Sequence, residues 1–293
     1  MKYVIDKSNS NICIRDYLRK LSFSNALIKR LKRLPNGILV NLSHQTVRYI
    51  LKENDILELC TDDFESDTNE YLEPVDLPFD IIYEDENYTV VNKPGNMPTH
   101  QSLNNHNNTL ANALMHRYKG KNYVFRAINR LDKDTSGVVV TANNRYYASL
   151  LSNKIKEGKV VKEYVAIVSG RLEGNGVINA SIDRVGKSII KRHVCENGDE
   201  AITEYKAAYS SDEVSVVLVY PKTGRTHQIR VHMAHIGHPI IGDSLYFEKS
   251  DLIDRQALHC LSMNIEGIGV FQAPLPNDME NLLRRYFGDE KLV

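Results

Sequence analysis

The sequence predicts an α+β protein whose main body contains a mixed, largely antiparallel sheet. The candidate strands outnumber the candidate helices, and most of them are joined by short connections, which disfavours alternating β-α-β units. With 293 residues, 42% of them hydrophobic, the chain can bury a substantial core and is expected to form one large and one small domain. We therefore divide it into a small α/β module at residues 1–60, a linker at 61–78 and a main body at 79–293.

The charge distribution separates the same regions. The 37 basic and 37 acidic residues cancel over the whole chain. Residues 15–52 nevertheless carry a net charge of +8, whereas residues 53–90 carry −14 and the rest of the main body is mildly basic. This asymmetry indicates a polyanionic partner.

Composition also excludes several classes of protein. No apolar run approaches the roughly 18 residues that a membrane-spanning helix needs, and the first 21 residues lack the apolar core of a secretory signal. The four cysteines show no C-x-x-C spacing, which argues against a zinc ribbon or a disulfide framework and fits reduced thiols. We therefore expect a cytoplasmic enzyme that does not enter a membrane. The cysteines are Cys13, Cys60, Cys195 and Cys260.

In the N-terminal module the sequence predicts two short helices and a pair of strands. Ser24 is a suitable N-cap for the second helix, whose apolar residues recur with helical spacing from Leu27 to Leu34. Strands follow at 38–40 and 55–59. The basic residues of the helix are candidate contacts for the polyanion, and the alternative is a solvated amphipathic helix. They are Lys29, Arg30, Lys32 and Arg33.

The main body is expected to begin after an acidic linker. Residues 61–78 are rich in Asp and Glu and contain two prolines, so charge repulsion is expected to extend them and to keep the module away from the main body. Strands are predicted at 81–83, 88–92, 137–141, 160–168, 201–209 and 214–220, and helices at 110–117, 144–153 and 226–236.

The most informative motif is the segment 127–137, Ala-Ile-Asn-Arg-Leu-Asp-Lys-Asp-Thr-Ser-Gly, which leads into a predicted strand. Its central carboxylate is Asp132. Loops that end on a strand are common positions for catalytic groups. The alternative interpretation is an ordinary turn built on Asp, Ser and Thr side chains.

A second motif, at residues 222–232, starts the last predicted helix. Thr226 is a suitable N-cap, and Gly237 a stop signal. His227 and Arg230 fall on the face opposite to the apolar residues, and such side chains at the start of a helix suit an anionic partner. The histidines of this region lack the spacing of a zinc site, so no metal is predicted.

Five motifs occur along the chain in a fixed order. They are Asn92-Lys93-Pro94-Gly95, Arg130-Leu131-Asp132-x-x-Thr135-Ser136-Gly137, Lys162-x-Tyr164-x-Ala166, residues 224–232 and residues 255–259. Together they make the chain similar to the RluA-type pseudouridine synthases. The similarity covers residues 80–275 and implies the sheet fold of that family. The family commonly has a histidine where this chain has Asn129.

The N-terminal module contains, in this order, residues 14–18, the basic second helix, Val40-Asn41 and residues 53–57. In this order the segments resemble the S4-like RNA-binding domain. The module departs from that domain in lacking a glycine after Asn41 and in carrying an insert at 42–48. The resemblance implies that the module binds RNA.

The similarity to the synthases implies an enzyme that converts uridine in RNA to its C-glycoside isomer without cofactor or metal. Asp132 is then the carboxylate that attacks or deprotonates the nucleoside, and Arg230 its ion-pair partner. Tyr164 is expected to stack on the base and to help in removing the C5 proton. Because the reacting atoms are hidden in a stacked helix, the nucleotide must flip out.

The remaining candidates contact the RNA or line the pocket. Arg130 is expected to fill the place that the flipped base leaves, Arg225 and His227 to contact RNA, and Leu258 to form part of the pocket wall. The expected partner is RNA, with ribosomal RNA favoured over transfer RNA. No obligate protein partner is expected.

Two other functions fit parts of the sequence. A catalytically silent RNA-binding or ribosome-assembly protein would keep the fold, and Asn129 is its only support, whereas Asp132, Tyr164 and Arg230 argue against it. A glycosidase-like hydrolase could use Asp132, but the motifs offer no suitably spaced second carboxylate.

Overall fold

The computed structural model describes residues 1–62, 72–102, 105–186, 188 and 190–288. A hydrophobic core lies in the N-terminal module and a larger one in the main body. The module contains β1 (Lys2–Val4), α1 (Ile14–Lys20), α2 (Asn25–Leu31), β2 (Ile38–Val40), β3 (Ser43–His44) and β4 (Ile56–Leu59). The main body contains β5 (Asp80–Glu84), β6 (Tyr88–Lys93), α3 (Leu110–Arg117), β7 (Ser136–Ala142), α4 (Arg145–Lys156), β8 (Val160–Ser169), β9 (Asn175–Asn179), β10 (Ile182–Arg184), β11 (Arg192–Val194), β12 (Ile202–Ser210), β13 (Val214–Pro221), α5 (Gln228–His235), β14 (Leu258–Ile265), β15 (Gly269–Gln272) and α6 (Asn277–Phe287).

The N-terminal module combines two short helices with an antiparallel sheet of order β1-β4-β2-β3. Apolar side chains from both helices and from β2 and β4 fill its core. Ser24 Oγ accepts a hydrogen bond from the N–H of Leu27 at 3.2 Å, which confirms the predicted N-cap. The predicted apolar face is longer than the helix, because α2 ends at Leu31 and Leu34 lies beyond it.

The main body is built on a nine-stranded sheet of order β5-β6-β7-β14-β8-β13-β12-β9, with β15 paired to β14. Its neighbouring strands are antiparallel except β7 and β14, which run parallel. The predicted fold class, α+β with a mixed and largely antiparallel sheet, is therefore confirmed. The strands β7, β14 and β8 lie next to one another, and this arrangement brings three of the sequence motifs together.

The beginning of α5 differs from the prediction. The N-cap is His227 and not Thr226, so the predicted cap was wrong. The backbone of His227 has a φ of 57°, in the left-handed region, so the helix cannot extend back to Thr226. The side chain of Gln228 folds back and accepts the N–H of Arg225 at 3.0 Å, which stabilises the turn before the helix.

The N-terminal module packs against α4 of the main body. The rings of Phe23 and Tyr146 lie 4.6 Å apart between centroids, and the carbonyl of Ser22 accepts bonds from Ser149 Oγ at 2.6 Å and Asn153 Nδ2 at 3.2 Å. The expectation that the acidic segment keeps the module off the main body therefore does not hold, because these short-range contacts join the two parts.

Only the two ends of the predicted linker, residues 61–62 and 72–78, are described, and the prediction for residues 63–71 lies outside the described residues. At the second end, Asn112 Nδ2 of α3 donates to the carbonyl of Glu73 at 2.7 Å, and Leu72 is buried. This end therefore packs onto the main body. Within the described ranges, no helix is long and apolar enough to span a membrane.

Candidate active site

Asp132 lies in the loop before β7, and side chains on both sides hold this loop in place. Thr99 Oγ1 donates to the carbonyl of Leu131 at 3.0 Å and accepts its N–H at 3.2 Å. Asn129 is buried, and its amide accepts a backbone N–H and donates to a backbone carbonyl of β7, at 2.9 and 3.0 Å. The residue that departs from the family pattern therefore ties the loop to the sheet.

The side chains of Lys93 and Arg255 also support the loop that carries Asp132. Lys93 is 0% exposed, and its Nζ donates to three carbonyls, those of residues 94, 97 and 133, at 2.8, 2.6 and 3.1 Å. Burial lowers the pKa of Lys93 to about 7, against the opposing charge of Asp134. Arg255 donates to the carbonyl of Asp134 at 2.9 Å and to both carboxylate oxygens of Asp278. The sequence placed Lys93 and Arg255 in motifs without giving either of them a role.

The structure brings all seven candidate residues of the main body to one pocket. This pocket of about 90 Å³ lies between the loop before β7, strands β8 and β14 and the start of α5. A wider groove of about 860 Å³ shares Asp132 and Arg230 with it. The seven residues are Arg130, Asp132, Tyr164, Arg225, His227, Arg230 and Leu258.

Arg230 joins two carboxylates at the base of the pocket. Its Nη1 donates to Asp132 Oδ2 at 3.0 Å, the contact that the sequence predicted. Its Nε and Nη2 donate to the two oxygens of Asp243 at 2.7 and 2.8 Å. Burial disfavours the guanidinium charge, but the bonds and charges of Asp243 and Asp132 outweigh burial and raise the pKa of Arg230. Arg230 is therefore a permanently charged donor to Asp132.

His227 approaches Asp132 from the N-terminus of α5. Its Nε2 lies 3.8 Å from Asp132 Oδ2, and its Nδ1 pairs with the hydroxyl of Tyr246 at 2.9 Å. Burial lowers the pKa of His227, although the charge of Asp132 opposes this effect. The imidazole is therefore neutral near pH 7 and offers hydrogen bonds rather than positive charge.

Tyr164 and Leu258 form an apolar wall of the pocket from two paired strands. The antiparallel register of β8 and β14 places Tyr164 opposite Cys260 and Ala166 opposite Leu258. Tyr164 is 7% exposed, and burial, followed by the nearby Cys260, raises its pKa well above the ordinary value of 10. The side chain is a neutral phenol at physiological pH.

The basic residues predicted in the N-terminal module lie in three places. Lys29 and Lys32 line a groove of about 650 Å³ on the module. Arg30 instead lines a cleft between α2 and α4, and Arg33 is exposed at the end of α2. The groove also contains basic residues that the prediction missed because they come from α1 and from the loop after β3. They are Arg15, Arg19 and Arg48.

Two of the histidines predicted not to bind a metal, His232 and His238, make other contacts. His232 pairs with Thr203 Oγ1 and the carbonyl of Ala180, each at 2.8 Å, and His238 pairs with the carbonyl of Ser169 at 3.0 Å. In the part of the chain that the structure describes, no group of three or more His, Cys, Asp or Glu side chains is placed to hold a metal ion. The pocket instead offers a carboxylate, a fixed guanidinium and an aromatic wall.

Comparison with known proteins gives a consistent result. The model of the RNA pseudouridylate synthase family matches residues 87–235, which include the loop before β7, β8 and α5. An uncharacterised RNA pseudouridine synthase of Bacillus subtilis, YjbO, is 36% identical over 92% of this chain and 98% of its own. The ribosomal large subunit pseudouridine synthase D of Xylella fastidiosa is 37% identical over 75% of this chain and 72% of its own. The solved structure named human RNA pseudouridylate synthase domain containing 1 has a TM-score of 0.57 and 30% identity over 68% of this chain and 84% of its own. The chain belongs to the RNA pseudouridylate synthase family.

Proposed function

We propose that this RNA pseudouridine synthase isomerises uridine in large-subunit ribosomal RNA, with Asp132 as the reacting carboxylate and without a cofactor. The observation that carries the proposal is the ion pair of Asp132 with Arg230, 3.0 Å apart at the base of the pocket. The choice of ribosomal RNA is supported by the similarity to the ribosomal large subunit pseudouridine synthase D of Xylella fastidiosa and by the basic groove of the N-terminal module.

The reaction moves the uracil base on its own ribose. The bond between N1 and C1′ breaks, a bond between C5 and C1′ forms, C5 loses its proton and N1 gains one. Asp132 acts on the nucleoside at C1′, at C6 or at the C2′ proton, and each of these routes needs a carboxylate held in a fixed orientation to the reacting atom. Arg230 supplies that orientation, because its Nη1 bonds to one carboxylate oxygen of Asp132.

Tyr164 and Leu258 receive the detached base. Burial raises the pKa of Tyr164 well above 10, so the phenol is protonated when the base arrives. Its flat aromatic ring can stack on uracil. The target nucleotide must leave its helix to reach this pocket. Arg130 is exposed at the pocket, two positions before Asp132 in the chain, and we assign it to the space that the flipped base leaves.

RNA beyond the target nucleotide is assigned to the groove of the N-terminal module. Five cationic side chains line it, two from the predicted set and three that the structure adds. Contacts of this kind bind phosphates and position the RNA, while they add little sequence information. We propose that Lys29 and Lys32 act in this way, in keeping with the resemblance of the module to the S4-like RNA-binding domain.

A hydrolytic function is disfavoured by the position of Asp243, the carboxylate that shares Arg230 with Asp132. Asp243 is bonded to Arg230 through both of its oxygens and is only 1% exposed. A glycosidase needs two carboxyl groups on either side of the scissile bond, with both facing the substrate. Asp243 lies behind Arg230 and does not line the pocket.

The proposal is tested by mapping pseudouridine in total RNA from cells with and without this gene. We expect loss of one or a few sites in large-subunit ribosomal RNA and their return when the wild-type gene, but not an Asp132→Asn variant, is supplied. Loss of sites in transfer RNA alone would overturn the substrate assignment. With purified protein and an unmodified ribosomal transcript, product should also form in the presence of EDTA, and dependence on a metal would contradict the cofactor-free mechanism.

A further inference from the structure

We propose that Asp243 is a positioning residue for the reaction: it fixes Arg230 in the orientation that holds Asp132. The inference rests on the proposed function of Asp132. Asp243 follows α5 in the segment 240–247, 13 residues after Arg230 and outside every motif that the sequence analysis assigned. The structure places its carboxylate directly behind the guanidinium.

The geometry gives Asp243 and Asp132 different parts. Asp243 accepts two bonds from Arg230, at 2.7 and 2.8 Å, in the forked arrangement that fixes the plane of a guanidinium. Asp132 accepts one bond, at 3.0 Å, from the remaining nitrogen Nη1. The direction in which Nη1 points is therefore set by Asp243, and Asp132 is the group oriented by it.

Other contacts hold Asp243 and Arg230 as one rigid unit. The N–H of Leu245 donates to Asp243 Oδ1 at 3.2 Å, and the guanidinium carbon of Arg230 lies 5.1 Å from the ring centroid of Tyr246. Arg230 and Asp243 are 7% and 1% exposed, so water cannot readily replace a lost bond. The hydroxyl of Tyr246 also pairs with Nδ1 of His227. His227, which lies beside Asp132, is therefore connected to the same segment as Asp243.

The test replaces Asp243 by asparagine and separates turnover from binding on an unmodified large-subunit ribosomal RNA transcript. An amide keeps the shape but turns one acceptor into a donor that faces a guanidinium N–H. We expect kcat to fall roughly 10- to 100-fold, the range for a reacting group displaced by a fraction of an ångström to one ångström. KM should change less than threefold, because Asp243 does not face the pocket.

A double-variant comparison distinguishes positioning from general support of the fold. In an Arg230→Ala background, Asp243→Asn should leave kcat within twofold, because the residue through which it acts is already gone. An equal loss of kcat in both backgrounds would overturn the proposal. Asp243→Glu keeps the negative charge and should regain part of the kcat that Asp243→Asn loses. It also serves as the test variant if Asp243→Asn does not fold.

Asp55→Asn is the matched control. Asp55 is also a buried carboxylate held by two hydrogen bonds, from the N–H of Lys52 and from Asn41 Nδ2, each at 2.9 Å, but it lies in the N-terminal module. It should lower the unfolding temperature without lowering kcat. If wild-type protein forms no pseudouridine, the proposed function fails. If the wild type is active and Asp243→Asn keeps kcat within threefold, only the positioning role of Asp243 is refuted.

Discussion

Replacement of Arg230 by lysine tests the ion pair at the base of the pocket. Arg230 makes three N–H···O bonds to two carboxylates, at 2.7, 2.8 and 3.0 Å. The single ammonium of lysine cannot span both carboxylates, so at least one of these charge-assisted bonds is lost. A hydrogen bond to a charged group contributes about 1.5–3 kcal/mol. If this loss falls on the transition state, kcat/KM should decrease by roughly 10- to 150-fold.

The assay follows release of label from C5-tritiated uridine in a ribosomal RNA transcript. Arg171→Lys is the control, because Arg171 also donates two hydrogen bonds to a carboxylate, that of Asp212, but its side chain is 51% exposed. A surface ion pair contributes about 0–1 kcal/mol, so this variant should match the wild type in activity. If Arg230→Lys keeps kcat/KM within threefold of the wild type, the ion pair does not orient the reacting carboxylate.

The remaining predictions concern the reacting carboxylate, the basic groove and a buried histidine. Asp132→Asn should abolish tritium release while RNA affinity and unfolding temperature stay near wild type, and activity within tenfold of wild type would contradict its role. The double variant Lys29→Gln with Lys32→Gln should weaken RNA binding. The slope of log affinity against log salt should become smaller by about 1.5, since two phosphate contacts are lost. A slope equal to that of a Lys206→Gln control would refute the proposed RNA contacts of the groove. Burial lowers the pKa of His259 to about 4 in the folded protein. Between pH 4 and about 6.5 the unfolded chain therefore binds more protons at this residue than the folded protein does. As the pH falls through this range, His259 should reduce the free energy of unfolding by about 3 kcal/mol. In urea unfolding, His259→Gln should flatten this pH dependence, and an unchanged slope would show that other groups cause it.

The elements predicted from sequence were those whose local signals agree with their surroundings. Ser24 and Asn144 cap α2 and α4. Each side chain accepts a hydrogen bond from the N–H of the residue three positions later, at 3.2 and 2.9 Å. Such caps can be predicted from a few adjacent residues. Strand β14 was missed because it is buried on both faces and contains polar residues. His259 and Ser262 are satisfied there by Ser136 and by Glu163 of neighbouring strands, which a local pattern does not reveal.

The candidate site shows the same limit. Asp132 and Arg230 stand in motifs that can be recognised, so their contact was predicted although they are 98 positions apart in the chain. Asp243 stands in a Gly-Asp-Ser sequence that is typical of a turn. Its function depends on a tertiary contact across the turn that follows α5, and no spacing rule gives that contact.

The position of the N-terminal module shows why composition alone misleads about domain arrangement. A run of like charges predicts an extended chain, but repulsion between exposed charges is screened beyond roughly 8–10 Å at physiological salt. The contact between Phe23 and Tyr146, with centroids 4.6 Å apart, acts at shorter range and is not screened by salt. The two bonds accepted by the carbonyl of Ser22 add direction to it. Single residues therefore decide where the basic groove sits relative to Asp132, while the average charge of the connecting segment does not.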